Sequence, residues 1–454
     1  MTETIIKLEE LINDRKFYDI KLLLQELEPA DISLLLEEFP DKIGTLFRIL
    51  PKDLAAETFV EMSSENQEAL LCSFTDNEIK AVMDELYIDD TVDIIEEMPA
   101  NVVKRILNNA DPDTRKTINE ILKYPDDSAG SIMTTEYVNL DKNITVSDAL
   151  KRIRRTGVDK ETIYTCYVTE NNRILLGYVT AKQLLLSDEE MIIEEIMDTN
   201  IIFVHTNEDK EVVAKEMSKY DLLALPVVDN ENRLVGIVTV DDAIDVIEEE
   251  ATEDIEKMAA IIPSDKPYLS TSPFEIWRKR MPWLIFLMLS ATFTSVIISS
   301  FEQRLMACAV LTAFIPMIMG SGGNAGGQTS ATIIRGLALE EIRMKDIFRI
   351  LFKELRVSLL CGSVLAIATF AKMLLIDNLI LGNSEVTVTI AAVVSLTLIV
   401  TIIVSKLTGA LLPVLAKRIG FDPAVMASPF ITTIVDAISL LIYFGVASAF
   451  IINI

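Results

Sequence analysis

The chain has 454 residues, room for more than one domain, and combines a formal net charge of −28 with a positive mean hydropathy. Dividing it near residue 270 separates the two properties: 27 Lys/Arg stand against 59 Asp/Glu before that point and 14 against 10 after it, so a strongly acidic part is joined to an apolar, mildly basic one. An acidic surface argues against a nucleic-acid partner, which needs a basic face, and points to cations or, more plainly, to solubility alone. One histidine, His205, and four scattered cysteines, Cys72, Cys166, Cys308 and Cys361, argue against histidine chemistry, a zinc site and a disulfide framework.

The first stretch, MTETIIKLEELINDRKF, lacks the basic start and apolar core of a signal peptide, so the acidic part is expected in the cytosol. Residues 1–127 read as short amphipathic helices with recurring ends, LLLEEFP, LFRILP and DIIEEMP, in which apolar residues repeat at three and four and Pro closes each unit. A stacked, superhelical α-helical domain is expected there.

A duplicated unit follows. SIMTTEYVNLDKNITVSDALKRI is echoed by EIMDTNIIFVHTNEDKEVVAKEM, and NNRILLGYVTAKQLL by ENRLVGIVTVDDAI, about 60 residues apart. The pattern resembles a tandem pair of CBS domains, small α/β modules, over 128–195 and 196–245. Their G-h-h-T-x-x-D ending is met in the second copy by Gly236, Thr239 and Asp242. The first copy has Gly177 and Thr180 but Gln183 in the Asp position.

Residues 246–272 hold an acidic amphipathic helix and a Pro/Ser-rich link. Over 273–454, apolar runs of spanning length begin near Trp283, Met306, Val357, Val388 and Ala424, giving five expected membrane helices. Arg278, Lys279 and Arg280 precede the first run. Arg335, Arg343, Lys345, Arg349, Lys353 and Arg356 lie between the second and third, and Lys417 and Arg418 between the fourth and fifth. The opposite loops hold little beyond Arg304 and Lys372. The positive-inside rule then puts the N-terminus in the cytosol and the C-terminus outside.

Two membrane stretches carry unusual chemistry. PMIMGSGGNAGGQTS nearly spells a phosphate-binding loop, but Gln328 replaces the Lys and no strand precedes it, so that reading fails. Its glycines permit close helix packing or a broken helix lining a wet cavity, and the amides of Asn324 and Gln328 favour the cavity. The last stretch, SPFITTIVDAISLLIYFGVASAFIINI, places Asp436 inside an apolar helix, where an ionised carboxylate costs about 3 kcal/mol, with Thr432 and Thr433 before it.

Taken in order, these parts resemble the MgtE family of magnesium channels and transporters, on the motifs from Pro316 to Gln328, RGLA from Arg335, and FDPA…SPFITTIVD from Phe421 to Asp436. The resemblance implies a helical N-domain, a CBS pair, a plug helix and five membrane helices that form a homodimeric pore in the plasma membrane. It implies no enzyme activity, and a pore carboxylate at Asp436 with Asn324, Gln328, Thr432 and Thr433 lining the path. Cytosolic Mg2+ would close the channel through ligands at Asp53, Glu85, Asp89 and the backbone of Gly130. Further ligands would be Asp209, Glu211, Asp221, Asp242 and Asp245 in the second module, Glu250, Glu253 and Asp254 on the plug, and Asp422. It admits ATP at the CBS modules, Co2+ or Ni2+ beside Mg2+, and membrane lipid around the spans. The rival expectations are a proton- or sodium-coupled transporter of divalent cations and a CBS-controlled membrane sensor that transports nothing. An intramembrane aspartyl protease would need Asp377 as its second acid, in no catalytic motif.

Overall fold

The computed structural model describes residues 2–264, 268–269, 271–301, 309–339, 341–426 and 428–450. It divides into two units, 1–248 and 249–454, and the chain passes from one to the other within a single helix. Arg304, Met306 and Cys308 lie outside the described residues.

The first unit opens with ten short helices: α1 (Thr2–Asn13), α2 (Phe17–Gln25), α3 (Pro29–Glu37), α4 (Ile43–Phe47), α5 (Lys52–Val60), α6 (Ser64–Ser73), α7 (Asp76–Met83), α8 (Ile88–Glu97), α9 (Ala100–Asn109) and α10 (Pro112–Ile121). The prolines that punctuate this region start helices as well as ending them. Pro29 and Pro112 sit at the first helical position and Pro51 and Pro99 at N-caps, where a missing N–H costs nothing and φ is already set. Thr75 and Glu78 close α7 with a reciprocal capping box. Leu24, Ile32, Leu36, Phe59, Leu71, Val92 and Ile106 are fully or almost fully buried in one core, which continues into the second half of the duplicated region through Ala129 and Met133.

The duplicated region forms two three-stranded sheets. β1 (Val138–Asp141) pairs parallel with β2 (Thr165–Thr169), which pairs antiparallel with β3 (Leu175–Thr180). The second sheet repeats this order with β4 (Val204–His205), β5 (Ala224–Val228) and β6 (Leu234–Thr239). Helices α11 (Val146–Thr156), α12 (Ala181–Leu186), α13 (Ile193–Ile196) and α14 (Lys210–Tyr220) complete the modules, and α15 (Val240–Met258) follows β6.

The repeated motif has a structural meaning at each position. In both copies the segment leading into the repeat crosses the other sheet: Thr134 bridges to Ile237, and Asp198 to Tyr178. The motif glycine lies under that crossing. A Cβ on Gly236 would fall 2.7 Å from Thr134 O, and one on Gly177 would fall 2.4 Å from Asp198 O. The Thr then caps the next helix. Thr180 and Gln183 form a full capping box on α12, and the Thr239 hydroxyl and N–H both donate to Asp242 on α15. Gln183 therefore does at α12 the capping work that Asp242 does at α15.

In the second unit come α16 (Pro273–Ser300), α17 (Ile315–Ala338), α18 (Ile347–Lys372), a π-helical extension of α18 over Met373–Ile380, α19 (Val388–Arg418) and α20 (Ser428–Phe450). Among the described residues, four helices are long and apolar enough to cross a membrane, and they contain α16, α18, α19 and α20. α16 and α18 begin earlier than their apolar runs do. Ser272 caps α16 eleven residues ahead of Trp283, and α18 carries basic residues through its first turns. α17, with 24 residues, is also of spanning length, but its glycines and amides dilute its apolar character. It packs against α19 and α20, while α18 packs on α19 and α16 on α20.

Candidate cation sites

The N-termini of α8 and α15 converge on a cleft of about 370 Å³ in the first unit. Its acidic lining is Asp53, Glu57 and Glu61 from the α5 region, Glu85, Asp89 and Asp90 around the start of α8, Glu161 from the loop before β2, and Asp241 and Asp242 from α15. Helix starts favour nearby negative charge, which offsets part of the cost of crowding acids here. No side chain of its own caps α8; instead Glu136 accepts the Ile88 N–H at 3.0 Å.

Two of these acids, Asp89 and Glu161, form a carboxylate triad with Glu136. One ligand oxygen from each of Asp89, Glu136 and Glu161 lies within 4.8 Å of the others. Asp89 is only 5% exposed, and Glu161 Oε2 is buried with no hydrogen-bond partner. Burial first, and then the neighbouring acids, push these groups up. Asp90 rises to about 7, against Asp242, Asp241 and Glu136, and Glu161 to about 8, against Asp90, Asp241 and Asp242. Burial also raises Asp242, to about 6, although its bond from Thr239 opposes the shift. Asp89 lies well above the usual carboxylate range for the same reasons, burial and then Asp242. Oxygen-only donors, a buried orphan oxygen and mutual repulsion fit a hard divalent cation.

Four residues singled out from sequence, Asp53, Glu85, Asp89 and Asp242, thus meet in one cleft, although 189 positions separate the first from the last. Gly130 does not line it. Its N–H donates to Thr206 O at 2.9 Å, and a Cβ there would strike the Tyr124 ring at 2.5 Å. Asp209 instead caps α14 and accepts the Glu211 N–H, Glu211 pairs with Lys215, and Asp221 ends α14 in a left-handed conformation. Asp245 lies on α15, one turn past Asp242 and outside the cleft lining. Asp90, Asp241, Glu136 and Glu161 were missed by the sequence reading. The doublets at 89–90 and 241–242 were visible signals, whereas nothing local distinguishes Glu161.

In the second unit, Glu250, Glu253 and Asp254 lie on the last turns of α15. Lys257 stands between two of the expected ligands: its Nζ is 2.8 Å from Glu253 and 2.9 Å from Asp422. Burial works against that ammonium, but the two carboxylates outweigh it and hold its pKa above the ordinary range. At this contact the acids already have a cation, and it is the protein's own. Met258 packs beside it against Ile334 and Ala424.

α17 is one unbroken helix, so the broken-helix expectation is corrected: its glycines serve contact. A Cβ on Gly322 would fall 2.8 Å from Ser439 Oγ and 2.9 Å from Thr401 Cγ2, and one on Gly409 would fall 2.3 Å from Gly326 O. Asn324 and Gln328 occupy the exposed side of the same helix. Asp436 on α20 faces Gly323, where an added Cβ would be 3.2 Å from Thr432 Cγ2 and 3.8 Å from Asp436 Oδ1. The Thr432 and Thr433 hydroxyls both donate to Pro429 O, at 2.9 and 3.0 Å, so neither is spent on the Asp436 carboxylate. Among the described residues Asp436 has no hydrogen-bond or ion-pair partner. Asp377, by contrast, is tied to Lys372 at 2.8 Å.

A helical domain, a CBS pair and an apolar helical unit whose intramembrane acid is unpartnered among the described residues define a multi-pass membrane protein of the cation-transporter class. Family models match in the same order: the MgtE intracellular N domain over residues 10–127, the CBS domain over 129–189 and 193–249, and the MgtE divalent cation transporter domain over 315–446. The magnesium transporter MgtE of Thermus thermophilus is 35% identical over 447 residues, 97% of each chain. That of Bacillus subtilis is 34% identical over 452 residues, 99% of this chain and 98% of its own. Two solved structures resemble about half of this chain. The cytosolic domain of the Mg2+ channel MgtE in complex with ATP has a TM-score of 0.51 at 34% identity, covering 53% of this chain and 99% of that one. The soluble part of a magnesium transporter has a TM-score of 0.52 at 30% identity, covering 55% and 99%. The chain belongs to the MgtE family; it is a transporter and not an enzyme.

Proposed function

We propose that this chain takes up Mg2+ across the plasma membrane as a homodimeric channel, with its N-terminus in the cytosol and its C-terminus outside. α17 is the remaining span, making five, and it lines the path with α20. The observation that carries this reading is Asp436: a carboxylate inside an apolar helix, without a partner among the described residues, beside a glycine of α17. Such a group marks an ion pathway by default. A twofold axis supplies a second Asp436, and the pair holds a cation between them.

Mg2+ sheds water reluctantly and prefers octahedral oxygen, so the paired carboxylates act on its hydration shell. The Thr432 and Thr433 hydroxyls donate to Pro429 O but keep lone pairs for that shell, and the Asn324 and Gln328 amides extend it. Cytosolic Mg2+ closes the channel by binding the acidic cleft around Asp53, Glu85, Asp89 and Asp242, with Glu136 and Glu161 as further ligands. The outer acids Asp209, Glu211, Asp221, Asp245, Glu250 and Asp254, with the Gly130 backbone, supply weaker sites. To bias the gate, the ion must bind the closed state more tightly than the open one. We extend the proposal to ATP at the CBS modules, after the relative solved with it, to Co2+ or Ni2+ as further cargo, and to lipid around the spans.

The test is Mg2+ flux into liposomes holding the full-length protein and an internal Mg2+-sensitive dye. Asp436→Asn should abolish the flux while leaving the folded dimer intact. Wild-type flux in that variant would end the pore reading.

A further inference from the structure

The membrane unit buries a second charge arrangement that the pore reading does not use. Lys406, within α19, is 7% exposed, and Glu354 of α18 is nearly as enclosed. Their charged atoms are 3.8 Å apart, and Thr329 of α17 joins them. Lys406 Nζ donates to Thr329 Oγ1 at 3.1 Å, and Thr329 Oγ1 donates to Glu354 Oε2 at 3.1 Å. Three helices each contribute one member.

Stability does not explain this pair. Each charge costs about 3 kcal/mol or more in a bilayer interior, and apolar replacements of buried pairs are often neutral or stabilising. The local packing supplies a better reason. Thr329 lies one turn beyond Gly326, where α17 and α19 meet backbone to backbone at Gly409. The buried face of α17 at this level is Gly322, Gly323, Ala325 and Gly326, which is smooth. Small residues allow close approach, but smooth faces resist sliding and rotation weakly. A charge-assisted hydrogen bond is directional and resists both. Asn324 and Gln328 project from the opposite side of the same turns.

We propose that the Lys406–Thr329–Glu354 network fixes the register of α17, aligning Asn324 and Gln328 with Asp436, and that Glu354 cancels a positive charge that would otherwise repel cations from the path. All three are positioning residues, and the inference rests on the pore reading.

The experiment measures Mg2+ flux against external Mg2+ for full-length variants in liposomes, each normalised to folded dimer. Glu354→Gln leaves Lys406 unbalanced; it should lower maximal flux about tenfold and raise half-saturating Mg2+. Glu354→Gln with Lys406→Met is neutral and should bring half-saturation back to within about threefold of wild type, while maximal flux stays low for want of the anchor. Thr329→Val keeps both charges but breaks the bridge, and should lower maximal flux with half-saturation unchanged. If Glu354→Gln does not fold, the double variant and Thr329→Val decide the matter. Wild-type kinetics in Thr329→Val, or a half-saturation in the double variant as far from wild type as in Glu354→Gln, would overturn the inference. Asp436→Asn run alongside separates the two failures. Flux surviving in that variant sinks the pore reading, whereas its loss with normal Thr329→Val kinetics sinks only the network.

Discussion

The two units treat negative charge in opposite ways. In the cleft of the first, Asp89, Asp90, Glu161 and Asp242 are held against one another without a neutralising base among the described residues, and burial drives all four upward. In the second, Glu354 is matched to Lys406 and Asp377 to Lys372, whereas Asp436 has no partner among the described residues. Solvent explains the contrast. A cleft open to water can wait for a cation from solution, whereas a charge in lipid needs a partner built into the chain unless ions pass it. Unmatched acids therefore mark the places where an outside cation is expected, and matched ones mark the architecture.

The sharpest way to break that comparison is to remove an acid from the crowd. Asp89→Asn should stabilise the Mg2+-free protein by about 1–3 kcal/mol, because it deletes a buried like charge and keeps the shape. The same change should shrink the stabilisation that Mg2+ confers. Thermal unfolding of the full chain in detergent, with EDTA and with saturating Mg2+, reads both effects. A variant less stable than wild type in EDTA would show that the cleft is held together by an internal partner.

A pH series asks the same question without mutation. These acids have folded pKa values raised above their unfolded values of about 4, so the folded state holds protons that the unfolded state has lost. Their contribution to stability is fully present near pH 4 and is lost as pH rises through about 6 for Asp242, 7 for Asp90 and 8 for Glu161. Metal-free protein should therefore become less stable between pH 5.5 and 8, with a total of about 3–6 kcal/mol at stake. Mg2+ replaces the missing protons, so its stabilisation should grow over the same interval. A flat metal-free profile would remove the electrostatic strain from the account.

How far the sequence disclosed this contrast differs by residue. The duplication and the long apolar runs were legible because burial imposes periods and lengths. The motif Gly-x-x-Thr-x-x-Asp was legible as a repeat, but its work, an uncovered backbone crossing and a helix cap, appears only once Thr134 and Asp198 are seen to cross between sheets. Asp53, Glu85, Asp89 and Asp242 came from resemblance and do meet. Glu161 has no local signal, since a loop acid becomes special only through the helices folded over it. Lys406 was readable as a lone cation in IVSKLTGALL and was passed over. Glu354 was hidden in the basic stretch FRILFKELR, where its neighbours suggested a solvated loop.

Lys257 sharpens the comparison at its margin, because it brings the membrane unit's habit of internal pairing to an acidic site. Its ammonium bridges Glu253 and Asp422, both partly exposed, so the contact contributes little to stability. Lys257→Met should destabilise the protein in EDTA by only about 0.5–1 kcal/mol, the range of surface ion pairs. The informative change is in the response to Mg2+. With the ammonium gone, Glu253 and Asp422 face each other uncompensated, and a divalent ion becomes their only neutraliser. Added Mg2+ should then recover the lost stability and stabilise the variant more than it does the wild type, at the same pH and ionic strength. Equal Mg2+ responses in the two proteins would mean that these acids take no metal even when vacated, and that the end of α15 is held by an ion pair alone.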